Sequence, residues 1–387
     1  MKRIIVSFLI ALCSLMVSAQ NGINFEHTSF NEACELAKQQ NKLVFIDVYT
    51  QWCGPCLLMA DEVFSLDKVG QAINGKFVSL KIDAEHGEGI SFAKKYRVQS
   101  FPAYYFIDPE TKEVLHRSGG RHDADKFLKI AACSMNPKLR SSYLYPEYEK
   151  GNRDPEFMFD YINGMDLSYD KKNQTKAIDE LLKIKGDDLS DKILGEVFFN
   201  YISDRDHPLF KKFVTERAKM EKQYGKERVE KKLYKGYRWC RDTQRVSDLE
   251  DFKGKDYILA YHKLKSTIDK KDYETADKLV MDMFTNPSFD QKTVMTDIKF
   301  TAKSTFYKEV DKEWEKKCIK YLQYIAYNAR DRNEGENHFN YAYILEKIIK
   351  ENPEIHEYFP ESITQEPETG KTKYSLRSPN LKKKPQR

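Results

Sequence analysis

Two cysteines stand close together in Trp52-Cys53-Gly54-Pro55-Cys56. Thiols at that spacing can close a disulfide and open it again, and the Gly54-Pro55 pair keeps the turn between them rigid. The preceding segment, Leu43-Val44-Phe45-Ile46-Asp47-Val48-Tyr49, is apolar and β-prone. The following one, Leu57 to Phe64, carries apolar residues at helical spacing. A Cys-x-x-Cys at a strand-to-helix junction puts its first sulfur at a helix N-terminus. Unpaired backbone N–H groups and the helix dipole stabilise a thiolate there. The second cysteine lies one turn inside and is shielded. The pattern thus supplies one attacking and one resolving thiol. A zinc site would need a second pair of ligands at similar spacing, and the sequence offers none. A fixed structural disulfide would not need the flanking Trp52 and Gly54-Pro55.

The surrounding elements follow from periodicity and turn residues. Ser29-Phe30-Asn31-Glu32 fits a capping box opening a helix to about Gln40. Leu43 to Tyr49 is apolar on both faces, which predicts a central strand. The helix after Cys56 is expected to reach Phe64, with another near Lys68 to Ile73. Phe77 to Asp83 is a second strand and Ile90 to Tyr96 a helix. Phe101 to Ile107 is a strand entered through Pro102. The turn Asp108 to Lys112 leads back along Val114 to His116. Asp123 caps a last helix from Ala124 to Cys133. Helices alternating with strands, then a hairpin, predict an α/β fold: a mixed sheet covered on both faces.

The chain has 387 residues, enough for two domains of ordinary size. Lys2 and Arg3 precede an apolar run from Ile4 to Val17, with small residues before Gln20. This reads as a signal peptide over residues 1–19. A thiol-based domain over 20–136, a linker over 137–154 and an all-helical domain over 155–360 follow. The helical part is rich in Lys, Glu, Tyr and Phe, and has a flavour of helical-hairpin repeats without a fixed period. Residues 361–387 read as a disordered basic tail. The 65 basic residues barely exceed the 60 acidic ones, so the charge names no nucleic-acid partner. Outside the signal segment and the active pair, Cys34, Cys133, Cys240 and Cys318 are scattered through amphipathic helical contexts and are expected to be buried thiols. His86, His116 and His122 sit among polar residues and are expected to be solvated.

The stretch Phe45 to Cys56, followed by Val98-Gln99-Ser100-Phe101-Pro102 and the Gly119-Gly120 pair, resembles the thioredoxin family. The likeness runs to about Ala132, and its style is that of secreted bacterial thioredoxin-like domains. The helical remainder resembles no family with the same clarity. The resemblance implies a thioredoxin-like fold, Cys53 as nucleophile and Cys56 as resolving thiol. It implies a cis Phe101–Pro102 bond facing the disulfide. A proline at a strand entry leaves neighbouring backbone free to pair with an extended substrate. Phe101 would lie beside the sulfurs, and Trp52 would cover the rim of the site or simply pack there. Asp47, an acid in an apolar strand, should have a raised pKa. The family role carried over to it is proton exchange with the resolving thiol. The family often sets a lysine beside this aspartate; the matching position here reads as Ser79, with Lys81 nearby.

The expected function is a thiol-disulfide oxidoreductase acting on protein or peptide disulfides outside the cytoplasm, in the periplasm. The Gly54-Pro55 pair resembles reducing members of the family. A reductase there implies a membrane-embedded electron-donating partner. No cofactor beyond the Cys53–Cys56 couple and no metal are implied. The rivals are an oxidase or isomerase using the same residues, and a binding protein whose helical part recruits clients.

Overall fold

The computed structural model describes residues 22–305 and 311–328. The signal segment 1–19, the end of the helical domain expected over 155–360 and the tail 361–387 lie outside the described residues.

Strand β1 (Phe25–Glu26) is too short to carry a period and escapes a reading of the sequence. Helix α1 (Phe30–Gln39) opens on the expected capping box, with Ser29 and Glu32 bonding each other's backbone N–H. Strand β2 (Leu43–Tyr49) leads into α2 (Gly54–Met59). A π-helical segment, Ala60–Phe64, continues from α2. The sequence suggests one uniform helix to Phe64. The wider turn lets Met59, Val63 and Phe64 all face the core. Then come α3 (Asp67–Asn74), β3 (Phe77–Asp83), α4 (Glu88–Lys95), β4 (Ala103–Ile107), β5 (Val114–Gly119) and α5 (Ala124–Met135).

The five strands are ordered β1-β3-β2-β4-β5. Strand β2 pairs parallel with β3 and antiparallel with β4, so it is central as its two apolar faces require. Strand β5 pairs antiparallel with β4. Alternate residues of β2 serve opposite layers. Val44, Ile46 and Val48 pack with α1, and Phe45 packs with Met59, Val63, Phe64 and Phe127. The second layer is aromatic: Phe45 stacks on Phe106 at 5.1 Å, and Phe64 meets Phe127 edge-on at 5.1 Å. Such pairs each add roughly 0.5–1.5 kcal/mol beyond burial.

Residues 137–154 are not the expected linker. Helix α6 (Ser141–Glu149) lies against β5. Helices α7 (Pro155–Leu167) and α8 (Lys171–Lys185) follow, and Tyr148 stacks on Tyr161 at 4.1 Å. Beyond them come α9 (Lys192–Tyr201), α10 (Pro208–Thr215) and α11 (Arg217–Tyr224). Phe210 to Tyr224 reads in sequence as a single helical run, but it is broken at Glu216. The first compact unit extends to Gln223, well past the expected edge at 136. The cause is the apolar stripe of α6 and α7, which has the sheet domain to bury itself against. Leu144 and Met158 are fully enclosed, and Leu167 packs on the Phe45 core.

The second unit begins at Tyr224. Its described part is helical: α12 (Lys226–Tyr237), α13 (Thr243–Ser247), α14 (Lys255–Asp269), α15 (Tyr273–Thr285), α16 (Gln291–Thr305) and α17 (Lys312–Asn328). Its core gathers Tyr257, Tyr261, Tyr273, Phe284 and Trp314 with aliphatic residues. Asp297 is buried there between Arg238, at 2.5 Å, and the Tyr257 hydroxyl, which donates to it at 2.7 Å. The Tyr-rich helices are thus core-forming, as aromatic residues at helical spacing usually are.

Candidate active site

The site is built where β2 ends. Cys53 is the N-cap of α2, and its Sγ accepts the Cys56 backbone N–H at 3.2 Å. The two sulfurs are joined in a disulfide, with Cα atoms 5.3 Å apart. Both cysteines are buried in this state, so the expected contrast between an open and a shielded sulfur is absent here. Gly54 and Pro55 are exposed at the surface between them.

Strand topology brings the other expected residues to the same end of the sheet. Ala103 pairs with Val48 on one side and Gly119 on the other. The start of β4 and the end of β5 therefore lie beside the end of β2. The Phe101–Pro102 peptide is cis there, as the family likeness implies. The Pro102 carbonyl accepts the Gly120 N–H at 2.9 Å, and Tyr104 Oη donates to the Gly120 carbonyl at 3.0 Å. Trp52 is 70% exposed and meets Phe101 edge-on at 6.1 Å. Its indole N–H donates to the Glu85 carboxylate at 3.0 Å. The ring is thus held over the surface rather than packed into a core.

Asp47 lies two residues after Phe45 on the same face of β2, so it points into the layer covered by α2 and the π-helical segment. It is only 1% exposed, and its Oδ1 has no hydrogen-bond partner among the described residues. Burial drives its pKa up to about 6, against the pull of Lys81. Lys81 is its partner in the β2–β3 register, with Nζ 3.6 Å from Oδ2. The position expected at Ser79 is therefore a misreading; Ser79 pairs with Phe45. Lys81 is itself walled by rings, with Nζ 5.0 Å from the Phe25 centroid and 5.8 Å from Tyr49 and Phe64. The ring faces attract the ammonium electrostatically, as the Asp47 carboxyl does.

The histidines differ from expectation in two of three cases. His86 is exposed and bonds Asp83 at 2.9 Å. His122 is half-buried beside the site: its backbone N–H reaches Met59 Sδ at 3.3 Å and its Nε2 lies 2.8 Å from the Gly119 carbonyl. His116 is fully buried, and its Nδ1 accepts the Ser141 N–H at 3.1 Å. Burial pushes its pKa down to about 4. Helix α6 supplies that burial, so neighbours in sequence give no hint of it. Cys34, Cys133, Cys240 and Cys318 are free and buried, as expected. Burial raises the pKa of Cys133 and Cys318 to about 12, which leaves them inert as nucleophiles. Among the described residues, no three His, Cys, Asp or Glu side chains converge as metal ligands would, and no helix is long and apolar enough to cross a membrane.

Residues 30–132 match the family model of a thioredoxin-like domain. Among curated proteins, the thioredoxin-like protein CITRX of Solanum tuberosum is 37% identical over 93 residues, 24% of this chain and 50% of that protein. The thiol:disulfide interchange protein DsbD of Yersinia pestis is 33% identical over 96 residues, 24% of this chain and 16% of that protein. The chain thus spans about half the length, or less, of these curated relatives. The solution structure of a disulphide-isomerase candidate from Bacteroides thetaiotaomicron is 40% identical, with 30% of this chain and 95% of that one covered and a TM-score of 0.28. Through residues 30–132 the chain carries a thioredoxin-like domain.

Proposed function

We propose that this protein reduces disulfides in polypeptide substrates outside the cytoplasm. The observation that carries the reading is the Cys53–Cys56 couple at the mouth of β2, with Cys53 capping α2. In the reduced protein the Cys56 N–H and the helix N-terminus stabilise a Cys53 thiolate. That thiolate attacks one sulfur of a substrate disulfide. The S–S bond breaks, a mixed disulfide forms, and the other substrate sulfur leaves as a thiolate. Cys56 gives up its proton and attacks Cys53 Sγ. The second substrate thiol is released and the disulfide seen here is closed.

Asp47 is the proton acceptor for Cys56 in this scheme. It sits in the layer under α2 with a pKa near the working range, which suits a general base. Trp52, Phe101, Pro102 and the exposed Gly54-Pro55 turn form the surface that meets the substrate. Gly54-Pro55 supports the reducing direction, because that pair is similar to the one found in reducing members. The apolar run Ile4 to Val17 supports export. A membrane-embedded dithiol donor would then restore the thiols.

Reduction of insulin disulfides with dithiothreitol as donor tests the activity. The wild type should precipitate the insulin chains and Cys53→Ser should not. Equal rates for the two would remove the assignment. Equilibration of the couple in glutathione buffers tests the direction: a potential well above about −180 mV would place the protein among oxidants instead.

A further inference from the structure

We infer that Tyr169, supplied by the turn between α7 and α8, is a substrate-positioning residue of the disulfide site and selects polypeptide over small disulfides. The inference rests on the oxidoreductase reading and deepens it.

Tyr169 has φ of 59°, in the left-handed region. It occupies the position after a helix end where glycine is usual. Asp170 N–H bonds the Met165 carbonyl at 2.9 Å and Tyr169 N–H the Asp166 carbonyl at 3.3 Å, closing a Schellman turn. A bulky residue in that conformation is strained. The side chain does not recover the cost by hiding in a core, because Tyr169 is 61% exposed.

The ring lies on the glycine pair of the site. A Cβ built on Gly120 would stand 2.9 Å from the ring, and one on Gly119 would stand 3.8 Å from it and 3.1 Å from the Pro102 carbonyl. Glycine at both positions therefore lets the ring rest on backbone next to Pro102. His122 meets the ring edge-on at 6.1 Å while bonding the Gly119 carbonyl. The turn is anchored from below by the Lys126–Asp166 ion pair and by Leu167 on the sheet core.

The strand order β2-β4-β5 then sets a line across the end of the sheet. Trp52 and Phe101 stand on one side of Pro102 and Tyr169 on the other. An extended chain pairing with the Phe101 backbone beside Pro102 would run between these aromatic side chains, with the Tyr169 ring within its reach. An apolar or aromatic side chain there gains contact. A disulfide with no flanking residues cannot reach it.

The test compares wild type, Tyr169→Gly and Tyr169→Phe on insulin and on 2-hydroxyethyl disulfide. Glycine removes the ring and also the left-handed penalty, so thermal stability should hold or rise. Expected is a fall of about tenfold in kcat/KM for insulin with Tyr169→Gly, with the small disulfide within about twofold, which matches one aromatic contact. Tyr169→Phe should behave as wild type. Parallel falls on both substrates, or no fall on insulin, would overturn the inference while wild-type activity leaves the oxidoreductase reading intact. A wild type inactive on both substrates removes the two together.

Discussion

Asp47 and Lys81 face each other across β2 and β3 at 3.6 Å, yet only the lysine reaches water. The carboxyl is enclosed and has one oxygen without a partner. Desolvation outweighs the neighbouring cation, so the acid is held near pKa 6. The pair places an exchangeable proton, held more tightly than on an ordinary carboxyl, beneath the active-site helix.

This arrangement makes stability depend on pH with a definite sign. The folded state binds the Asp47 proton more tightly than the unfolded chain does. The stabilisation is thus complete below the ordinary carboxyl pKa and is lost as pH rises to about 6. Asp47→Asn should escape that loss. Its stability relative to wild type should be about 2–3 kcal/mol more favourable at pH 7.5 than at pH 3.5, in urea unfolding at the two pH values. The same variant should slow disulfide exchange by about tenfold or more at pH 7, through loss of a general base. An identical stability difference at both pH values would show that Asp47 is not held protonated.

Lys81→Met removes the cation that draws the Asp47 pKa down. The midpoint should move above 6, and the inflection in the pH–rate profile of insulin reduction should move with it. Titration of the Asp47 carboxyl by NMR checks the shift directly. A lower midpoint would show that another group, not Lys81, sets it.

Much of this site is legible in the amino-acid sequence. The Cys-x-x-Cys between a strand and a helix locates the sulfurs, a two-faced apolar run locates β2 to the residue, and the run Phe77 to Asp83 locates β3. What stays hidden depends on contacts distant in sequence. Lys81 is set by register, since a one-residue slip of pairing turns every side chain over. His116 sits in a strand, is followed by Arg117 and Ser118, and reads as exposed until α6 covers it. Tyr169 gives no signal, because a turn that glycine would normally fill is not announced by tyrosine. The boundary at 136 rests on prolines, which mark a break in local structure but not the edge of a core.

His116 yields a prediction of opposite sign. Its folded-state pKa is depressed to about 4, so the unfolded chain binds the proton more readily. The stabilisation is complete above the ordinary histidine pKa and is lost as pH falls towards 4. His116→Gln keeps an acceptor for the Ser141 N–H and does not titrate. Relative to wild type it should therefore gain about 3 kcal/mol between pH 7.5 and pH 4, read by chemical unfolding. Parallel stability curves for the two proteins over that range would mean that the ring is protonated in the fold.

The enclosure of Cys34, Cys133, Cys240 and Cys318 also limits what an oxidant can do to the folded chain. Among the described residues just one thiol couple can respond, so uptake of oxidising equivalents from a thiol-specific oxidant such as oxidised glutathione should stop at a single step. Any consumption beyond that would come from molecules whose helices have opened.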